Sequence, residues 1–376
     1  MPEALAKGLR NVVMDETQAS FIDGEQGVLL YRGYSIHDLA LNCSFEEVAY
    51  LLLYGSLPNR AQLEAFESRL RAARTLPAPV IETIRIVARS HPMDVLRTAV
   101  SALAAFDPDV HDESPAAVLR KSERLTAQVP GIVAAHHRIR NGLEPVMPRD
   151  DLNHAASFLH LLDGKDPPAE AVEAMNIDFI LHAEHGANAS SFAARVTAST
   201  LSDLHSDITS AIGTLKGPLH GGAAEAVMKM ALEIGEPERA AEYVKERQRN
   251  RENRIMGFGH RVYKVEDPRA RHMREKSRAL SERMGQAKWY QILEAVVEAM
   301  SRYQRHGIYV NVDFYAGSVY YLLGIPEDLF VPIFAIGRVP GWCASVIEQL
   351  QDNVLIRPLL RYEGLLDLSY TPIKQR

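Results

Sequence analysis

The sequence predicts a mostly α fold with one short β-hairpin near the N-terminus, and three observations support this prediction. Apolar residues recur at helical spacing in most of the segments that proline and glycine separate. Strand and helix patterns do not alternate along the chain, and there is no internal repeat, which argues against a parallel α/β fold. Only the first thirty-odd residues carry strand signals.

Those strand signals lie at residues 21–31, where two short apolar runs flank a glycine-containing turn. The first clear helix signal follows, because residues 44–47 (Ser-Phe-Glu-Glu) form a capping box that opens a helix through Leu53. Gly55 and Pro58 close this helix. The same criteria predict further helices at residues 58–73, 79–88, 94–106, 114–140, 150–162, 168–185 and 223–232.

Composition limits the classes of protein that the chain can represent. Its 376 residues are enough for a large core and two domains. The balance of 42 basic and 48 acidic residues argues against a general nucleic-acid binder. Cys43 and Cys343 are the only cysteines, which fits a reducing compartment better than a disulfide framework. With no long apolar segment at the N-terminus or elsewhere, we expect a cytoplasmic protein without a signal peptide or membrane span.

Two glycine–histidine turns stand out as candidate functional sites. His220 lies between glycines at 217 and 221–222, directly before a predicted helix. The positive end of that helix dipole disfavours an imidazolium and leaves a neutral ring able to donate a proton. A histidine in a surface loop is the alternative interpretation. The second turn, which ends at His260 in the pattern Gly-Phe-Gly-His, favours the functional interpretation of both.

A basic segment follows the second turn, with seven basic and three acidic residues at 261–278, and residues 245–254 are also rich in lysine and arginine. A solvated helix face is one interpretation of such a segment. A binding site for a phosphorylated small molecule is the other, because the backbone N–H groups of a glycine-rich turn can bind an anion.

Three further polar clusters each allow two interpretations. Residues 182–190 hold two histidines and a glutamate, but their spacing is not that of a His-Glu-x-x-His metal site. Asp313 lies in an apolar and aromatic run, and it is interpreted either as a helix cap or as a base with a shifted pKa. Arg338 and Arg357 each lie beside apolar residues, where an arginine pairs with a protein carboxylate or grips a substrate carboxylate.

Taken in order, these motifs resemble those of citrate synthases and of the closely similar 2-methylcitrate synthases. No single motif is decisive, but their order along nearly the whole chain is specific. The matching motifs are Gly8-Leu9-Arg10, Asp23-Gly24, Tyr31-Arg32-Gly33-Tyr34, residues 45–55, residues 182–190, residues 217–222, residues 257–260, Asp267-Pro268-Arg269, Asn311-Val312-Asp313 and Arg357-Pro358.

The resemblance implies an almost entirely helical homodimer. Each subunit would have a large domain at residues 1–221, to which residues 325–376 return, and a small domain at 222–324 that closes over it. The implied reaction belongs to the tricarboxylic acid cycle: an acyltransferase condenses acetyl-coenzyme A with oxaloacetate, and citryl-coenzyme A is hydrolysed to citrate and coenzyme A. We expect no metal and no redox cofactor. A 2-methylcitrate synthase, which uses propionyl-coenzyme A, is the alternative within the family.

The resemblance also implies roles for individual residues. Asp313 matches the base that removes the thioester methyl proton, His220 the donor to the thioester carbonyl, and His260 the donor to the oxaloacetate ketone. The residues that match binding positions are His185, Arg269, Arg338 and Arg357 for oxaloacetate, and Ile255, Met256, Gly257, Phe258, Gly259 and Lys264 for coenzyme A. In the family the arginine at position 357 acts in trans, on the substrate of the partner subunit; pairing with Asp352 of its own chain is the alternative.

Two hypotheses from other classes are weighed against this one. A helical metal-binding protein would use the histidine clusters, and metal in the purified protein would support it. A non-catalytic coenzyme A-binding module would lack the base, so the joint presence of His220, His260 and Asp313 argues against it. Because the chain begins close to its first matching motif, we also expect no extra N-terminal regulatory domain and no inhibition by NADH.

Overall fold

The computed structural model describes residues 5–9, 12–249 and 255–376, and within them the fold is mostly helical, as predicted. Arg10 of the first matching motif, and residues 250–254 of the lysine- and arginine-rich stretch at 245–254, lie outside the described residues. The α-helices of the described part are α1 (Ile36–Asn42), α2 (Phe45–Tyr54), α3 (Arg60–Ala73), α4 (Ala78–Ile86), α5 (Pro92–Leu103), α6 (Pro115–Arg140), α7 (His154–Asp163), α8 (Ala169–His182), α9 (Ala189–Ala198), α10 (Leu204–Leu215), α11 (Ala223–Ile234), α12 (Ala240–Arg249), α13 (Ala270–Arg283), α14 (Ala287–Met300), α15 (Asp313–Leu322) and α16 (Phe330–Gln351).

The predicted N-terminal hairpin is present. Strand β1 (Ser20–Asp23) pairs antiparallel with β2 (Val28–Tyr31), and the side chain of Asp23 closes the turn by accepting the N–H of Glu25 at 2.9 Å. A two-residue strand, β3 (Tyr34–Ser35), extends the sheet on the far side of β2, which the sequence did not predict. Such a short strand leaves too few residues for an alternating pattern to be recognised.

Local capping explains where the helices begin and end. The capping box at Ser44 and Glu47 is present, and α2 ends at Gly55, whose left-handed φ of 87° suits glycine. Some predicted helices are shorter than expected: α7 begins at His154 and not at residue 150, and α8 ends at His182 and not at His185. The segment 261–278, for which a helix face was one interpretation, is helical only from Ala270 onwards. The non-helical residues 183–185 and 261–269 include buried polar side chains, such as those of Glu184 and Asp267.

Helix α16 forms the centre of the fold. It packs against α2, α6, α8, α9 and α10, and Trp342 is fully buried within it. By length and composition the segment 327–351 could cross a membrane, but 94% of its apolar window is buried inside the protein. Its apolar character therefore reflects its position as the core helix.

Helices α11 to α15 pack mainly on one another, with α15 in contact with α11, α13 and α14. They contact the rest of the chain where α13 meets α8 and where α11 meets α16. This group of helices lies within the predicted small domain, residues 222–324, whose boundaries stay a prediction.

After α16 the chain is irregular, apart from a short 3₁₀ turn at Ile373–Gln375. This tail, residues 352–376, is exposed over nearly all its length although it carries many apolar side chains. Leu360 is 95% exposed, and most of the surface of Leu359, Leu365 and Leu366 is exposed as well.

Candidate active site

Two short backbone segments fix the turn that ends at His260. The N–H of Gly259 donates to the carbonyl of Tyr309 at 2.7 Å, and the N–H of Asn311 donates to the carbonyl of Gly257 at 2.9 Å. Gly257 has φ of 76°, and a Cβ there would lie 2.6 Å from the ring of Phe314. Only glycine fits this position, so the turn is closely packed against the start of α15.

The hydrogen bonds of His260 identify its protonation state. Its Nδ1 accepts the backbone N–H groups of Val262 and Tyr263, each at 3.1 Å. Because a backbone N–H can only donate, Nδ1 carries no proton and the neutral ring carries its proton on Nε2. Burial, together with the positive charge of Arg269, lowers the pKa of His260 to about 4. At neutral pH the residue is therefore a neutral Nε2–H donor.

His220 has the opposite tautomer. It lies in the turn before α11, with its Nε2 2.8 Å from the hydroxyl oxygen of Ser190 and 3.3 Å from the backbone nitrogen of the same residue. The backbone N–H of Ser190 donates to this nitrogen as well as to Oδ1 of Asn188, so Nε2 is an acceptor and the proton lies on Nδ1. Burial and then Arg338 lower the pKa of His220 to about 4. The lowered pKa agrees with the predicted neutral ring of His220. Its main cause, however, is burial and not the helix dipole.

Ser190, which is not among the predicted site residues, connects His220 to the core. Its hydroxyl oxygen accepts the indole N–H of Trp342 at 3.0 Å, and its hydroxyl lies 2.7 Å from Oδ1 of Asn188. Asn188 is the N-cap of α9 and accepts the N–H groups of the first turn. The signal that could have found this network is the Asn-Ala-Ser sequence of a helix start, immediately after two candidate site histidines.

Asp313 is the first residue of α15 and is partly buried. Asn311 accepts the N–H of Asp313 at 3.1 Å, whereas in the described residues the carboxylate of Asp313 accepts no helix N–H. The helix-cap interpretation is thus not supported. Burial raises the pKa of Asp313, while the nearby cationic forms of His182 and Arg269 oppose that rise. A carboxylate with a raised pKa is suited to act as a base.

Two of the predicted arginines are buried close to this carboxylate. Arg269 makes a bidentate pair with Asp267, at 2.9 and 2.7 Å. Arg338 is 1% exposed; its Nε donates to the carbonyl of His182, and its guanidinium lies 4.6 Å from the ring centre of Phe334. Within the described residues its terminal nitrogens make no hydrogen bond, so they remain available for a carboxylate.

His185 lies beside both arginines. Burial lowers its pKa well below the usual value, and the charges of Arg269 and Arg338 contribute. Its ring centre is 5.1 Å from that of His260, and its Nε2 is 3.1 Å from the hydroxyl of Tyr263. Tyr263 is not among the residues predicted from the sequence.

Two other residues at the site were also missed. Tyr31 is fully buried and its hydroxyl lies 2.9 Å from the carbonyl of Glu184; burial raises the pKa of Tyr31 to about 12, and Arg269 and Arg338 oppose the rise. Burial also raises the pKa of Glu184 to about 7, again opposed by Arg338. Both lie in motifs that match the family, but their burial beside the arginines depends on tertiary contacts and leaves no signal in the sequence.

The remaining predicted residues differ in how far they are exposed to solvent. Ile255 is buried, Met256 and Phe258 are partly buried against the core, and the side chain of Lys264 is exposed. Arg357 is exposed in the tail, and in the described part of the chain it makes no ion pair with Asp352. Within the described residues of one chain, Arg357 also makes no hydrogen bond or ion pair with any other predicted site residue.

The metal interpretation of residues 182–190 has no support in the described residues, which contain no group of three histidine, cysteine or acidic side chains able to hold a metal ion. His182 instead contacts the carbonyl of Asp178 through its Nδ1 at 2.9 Å. The site combines two neutral histidine donors, one carboxylate with a raised pKa, and two buried guanidinium groups. Such a set suits acid–base chemistry on an anionic substrate.

Known proteins are similar to this chain over nearly its whole length. The chain matches the family model described as citrate synthase, C-terminal domain, over residues 8–359. It is 47% identical over 382 residues to the citrate synthase of Haloferax volcanii, covering 100% of both chains. It is 45% identical over 376 residues to 2-methylcitrate synthase 1 of Corynebacterium glutamicum, covering 98% of both.

Among solved structures, the fold is similar to the ternary complex of carboxymethyl coenzyme A and oxaloacetate with citrate synthase from the thermophilic archaeon Thermoplasma acidophilum. The TM-score is 0.94, the sequences are 34% identical, and 100% of each chain is covered. The resemblance found in the sequence motifs is confirmed, and the chain belongs to the citrate synthase family.

Proposed function

We propose that the protein is a citrate synthase, which condenses acetyl-coenzyme A with oxaloacetate and hydrolyses citryl-coenzyme A to citrate and coenzyme A. The observation that carries this proposal is the grouping of a Nδ1–H donor (His220), a Nε2–H donor (His260) and a carboxylate with a raised pKa (Asp313) around Arg269 and Arg338. Enolisation of a thioester requires a carboxylate base and hydrogen-bond donors such as neutral histidines.

In the proposed mechanism Asp313 takes a proton from the acetyl methyl group. The electron pair moves onto the thioester oxygen, where the Nδ1–H of His220 stabilises the developing charge. The resulting nucleophilic carbon attacks the ketone of oxaloacetate, and the Nε2–H of His260 gives its proton to the ketone oxygen. Water then cleaves the thioester and releases coenzyme A. Arg269, Arg338 and His185 hold the substrate carboxylates.

Propionyl-coenzyme A is the alternative acyl donor, since one of the similar proteins is a 2-methylcitrate synthase. One methylene changes discrimination by only about 1–3 kcal/mol, so pocket shape decides the preference. The test is kcat/KM for both thioesters with oxaloacetate, with mass-spectrometric identification of the product. We expect citrate and a higher kcat/KM for acetyl-coenzyme A. A higher value for propionyl-coenzyme A would identify a 2-methylcitrate synthase, and absence of both products would refute the proposal.

We propose further that the active form is a homodimer in which Arg357 completes the site of the partner subunit. The tail that carries Arg357 exposes several leucines to solvent in the single chain. Contiguous exposed apolar side chains of this kind indicate a protein interface. An arginine on such a tail can reach the carboxylates of a substrate bound to the partner subunit, and each site then depends on both chains.

Mixed dimers test the trans role. Arg357→Gln and Asp313→Asn homodimers should each be nearly inactive. In a mixed dimer, action in trans leaves one site with both lesions and one with neither, so activity returns to about a quarter of the wild-type value after statistical mixing. Action in cis leaves one lesion in every site, and the mixture stays inactive.

Two further parts of the proposal concern the whole chain. Residues 222–324 would close over the rest when oxaloacetate bridges Arg269 and Arg338, because such a substrate binds the closed state more tightly. Small-angle scattering profiles that oxaloacetate leaves unchanged would contradict closure. We also propose a cytoplasmic location, with which the two free thiols Cys43 and Cys343 are consistent.

A further inference from the structure

We propose that Tyr263 is a positioning residue that holds His185 in the tautomer needed to bind the anionic substrate. This inference rests on the proposed function, because it takes His185 as a ligand of oxaloacetate. Tyr263 belongs to the 222–324 segment and His185 to the loop after α8, so the hydroxyl–imidazole contact joins two parts of the chain.

Tyr263 contacts two of the three candidate site histidines, His185 and His260. Its backbone N–H donates to Nδ1 of His260 at 3.1 Å, and its ring lies 4.7 Å from the ring of His260 at an interplanar angle of 32°. Its hydroxyl is 3.1 Å from Nε2 of His185, and the two rings meet nearly edge to face, 5.4 Å apart. One side chain therefore fixes the relative position of the two imidazoles.

The position of Tyr263 is itself fixed. Its side chain is 1% exposed, and the next residue, Lys264, donates its N–H to the carbonyl of Gly24 in the hairpin turn at 2.8 Å. Because Tyr263 is buried and its neighbour is hydrogen-bonded to the hairpin, Tyr263 is a fixed part of the site and not a mobile gate. This argues against a second interpretation, in which the hydroxyl only occupies the place of a substrate oxygen until the substrate displaces it.

The direction of the hydrogen bond follows from the chemistry of the two groups. Burial raises the pKa of Tyr263, so its hydroxyl keeps its proton. Within the described residues that hydroxyl has no other partner, and a buried O–H donates where it can. If Tyr263 donates to Nε2, the proton of His185 lies on Nδ1. His185 then has an N–H, and not a lone pair, at Nδ1, the ring nitrogen that Tyr263 does not contact.

The groups around His185 favour this neutral form. Burial first, and then the charges of Arg269, His260 and Arg338, disfavour an imidazolium at this position and keep the pKa of His185 low. A neutral ring has one N–H, so its orientation towards the substrate depends on which nitrogen carries it. The hydroxyl of Tyr263 determines that choice.

A double-mutant cycle tests the inference. Dissociation constants for oxaloacetate would be measured by calorimetry for the wild type, Tyr263→Phe, His185→Ala and the double variant. Tyr263→Phe keeps the ring and removes one hydroxyl, and we expect about tenfold weaker oxaloacetate binding, as for loss of one buried hydrogen bond. The KM for acetyl-coenzyme A should not change. If Tyr263 acts through His185, the double variant binds no more weakly than His185→Ala alone. Additive losses, or tighter binding by Tyr263→Phe, would overturn the inference.

A matched control and a second measurement complete the design. Tyr243→Phe removes a tyrosine hydroxyl bonded to Glu233 outside the site, and it should bind oxaloacetate like the wild type. Nitrogen-15 NMR of labelled histidines, with His185 assigned from the His185→Ala spectrum, reports the tautomer directly. We expect Nδ1–H in the wild type and a population with Nε2–H in Tyr263→Phe; Nε2–H in the wild type would overturn the inference. Failure of the wild type to bind oxaloacetate would instead refute the proposed function.

Discussion

The contact between the N-terminal hairpin and the loop after His260 makes Gly24→Ala an informative substitution. The carbonyl of Gly24 accepts the N–H of Lys264 at 2.8 Å. A Cβ at Gly24 would lie 2.9 Å from the carbonyl carbon of Val262 and closer still to its oxygen. Gly24 does not have a positive φ, so alanine can adopt its backbone conformation and only the contact with Val262 opposes the change.

The structure sets the size of the expected effect. Ordinary contacts begin at 3.4 Å, so the backbone around Val262 must move by roughly 1 Å to admit the new methyl group. The N–H of Val262 holds Nδ1 of His260, so His260 moves with it. A displacement of about 1 Å at a reacting group can lower the rate about 100-fold. We therefore expect kcat to fall by about one to two orders of magnitude.

Steady-state kinetics and hydrogen exchange of residues 261–266 are the measurements. Glu25→Ala is the matched control, because the side chain of Glu25 is exposed in the same turn. The amide of Lys264 should exchange faster in Gly24→Ala and not in Glu25→Ala, while the melting temperatures of both stay close to that of the wild type. A kcat within twofold of the wild type, with unchanged protection of the loop, would refute this account of the hairpin.

Two other predictions concern buried polar groups. Asp207 in α10 is fully buried with both carboxylate oxygens unpaired in the described residues, and burial raises its pKa from 3.8 to about 9. Because the pKa of Asp207 is raised in the folded state, the contribution of its protonated form to stability is fully present below pH 3.8 and is lost as the pH rises towards 9. At pH 7 Asp207→Asn should therefore raise the free energy of unfolding by about 2–4 kcal/mol. Denaturant titrations at pH 5 and pH 8 check this, and a gain that does not grow with pH would contradict it. Ser190→Ala removes the hydroxyl beside Nε2 of His220 and should lower kcat about tenfold or more with little change in the KM for oxaloacetate; an unchanged kcat would show that Ser190 does not orient His220.

Local chemistry made much of the fold predictable. Helix α2 was predicted within one residue, because Ser44, Glu47 and Gly55 are strong local signals at both of its ends. The end of α8 was predicted three residues too late, since residues 183–185 continue a helical pattern. Their departure from the helix follows from tertiary contacts, such as the bonds of Glu184 to Tyr31 and Ser20, which no local pattern encodes.

The candidate site was predictable only in part for the same reason. His220 and His260 stand in glycine-rich turns that the sequence marks clearly, and the motif order extends to Asp313 and the arginines. Tyr263 and Ser190 lie next to those motifs, but their importance arises from contacts across the fold, at 78 and 30 residues of sequence separation. Spacing along one chain cannot predict such pairs. The role of Arg357 in trans, which would need a second chain, stays a prediction.

The catalytic base is the centre of the proposed mechanism, and Asp313→Asn tests it most directly. Asparagine keeps the size of the side chain at the start of α15 but cannot accept the methyl proton. The measurement is citrate formation from acetyl-coenzyme A and oxaloacetate, together with the dissociation constant for oxaloacetate by calorimetry. We predict that kcat falls by at least about 1,000-fold, as for loss of a general base, while the dissociation constant stays within about threefold of the wild type. Citrate formation within tenfold of the wild-type rate, or persistent exchange of the acetyl methyl protons with solvent, would contradict the assignment of Asp313 as the base.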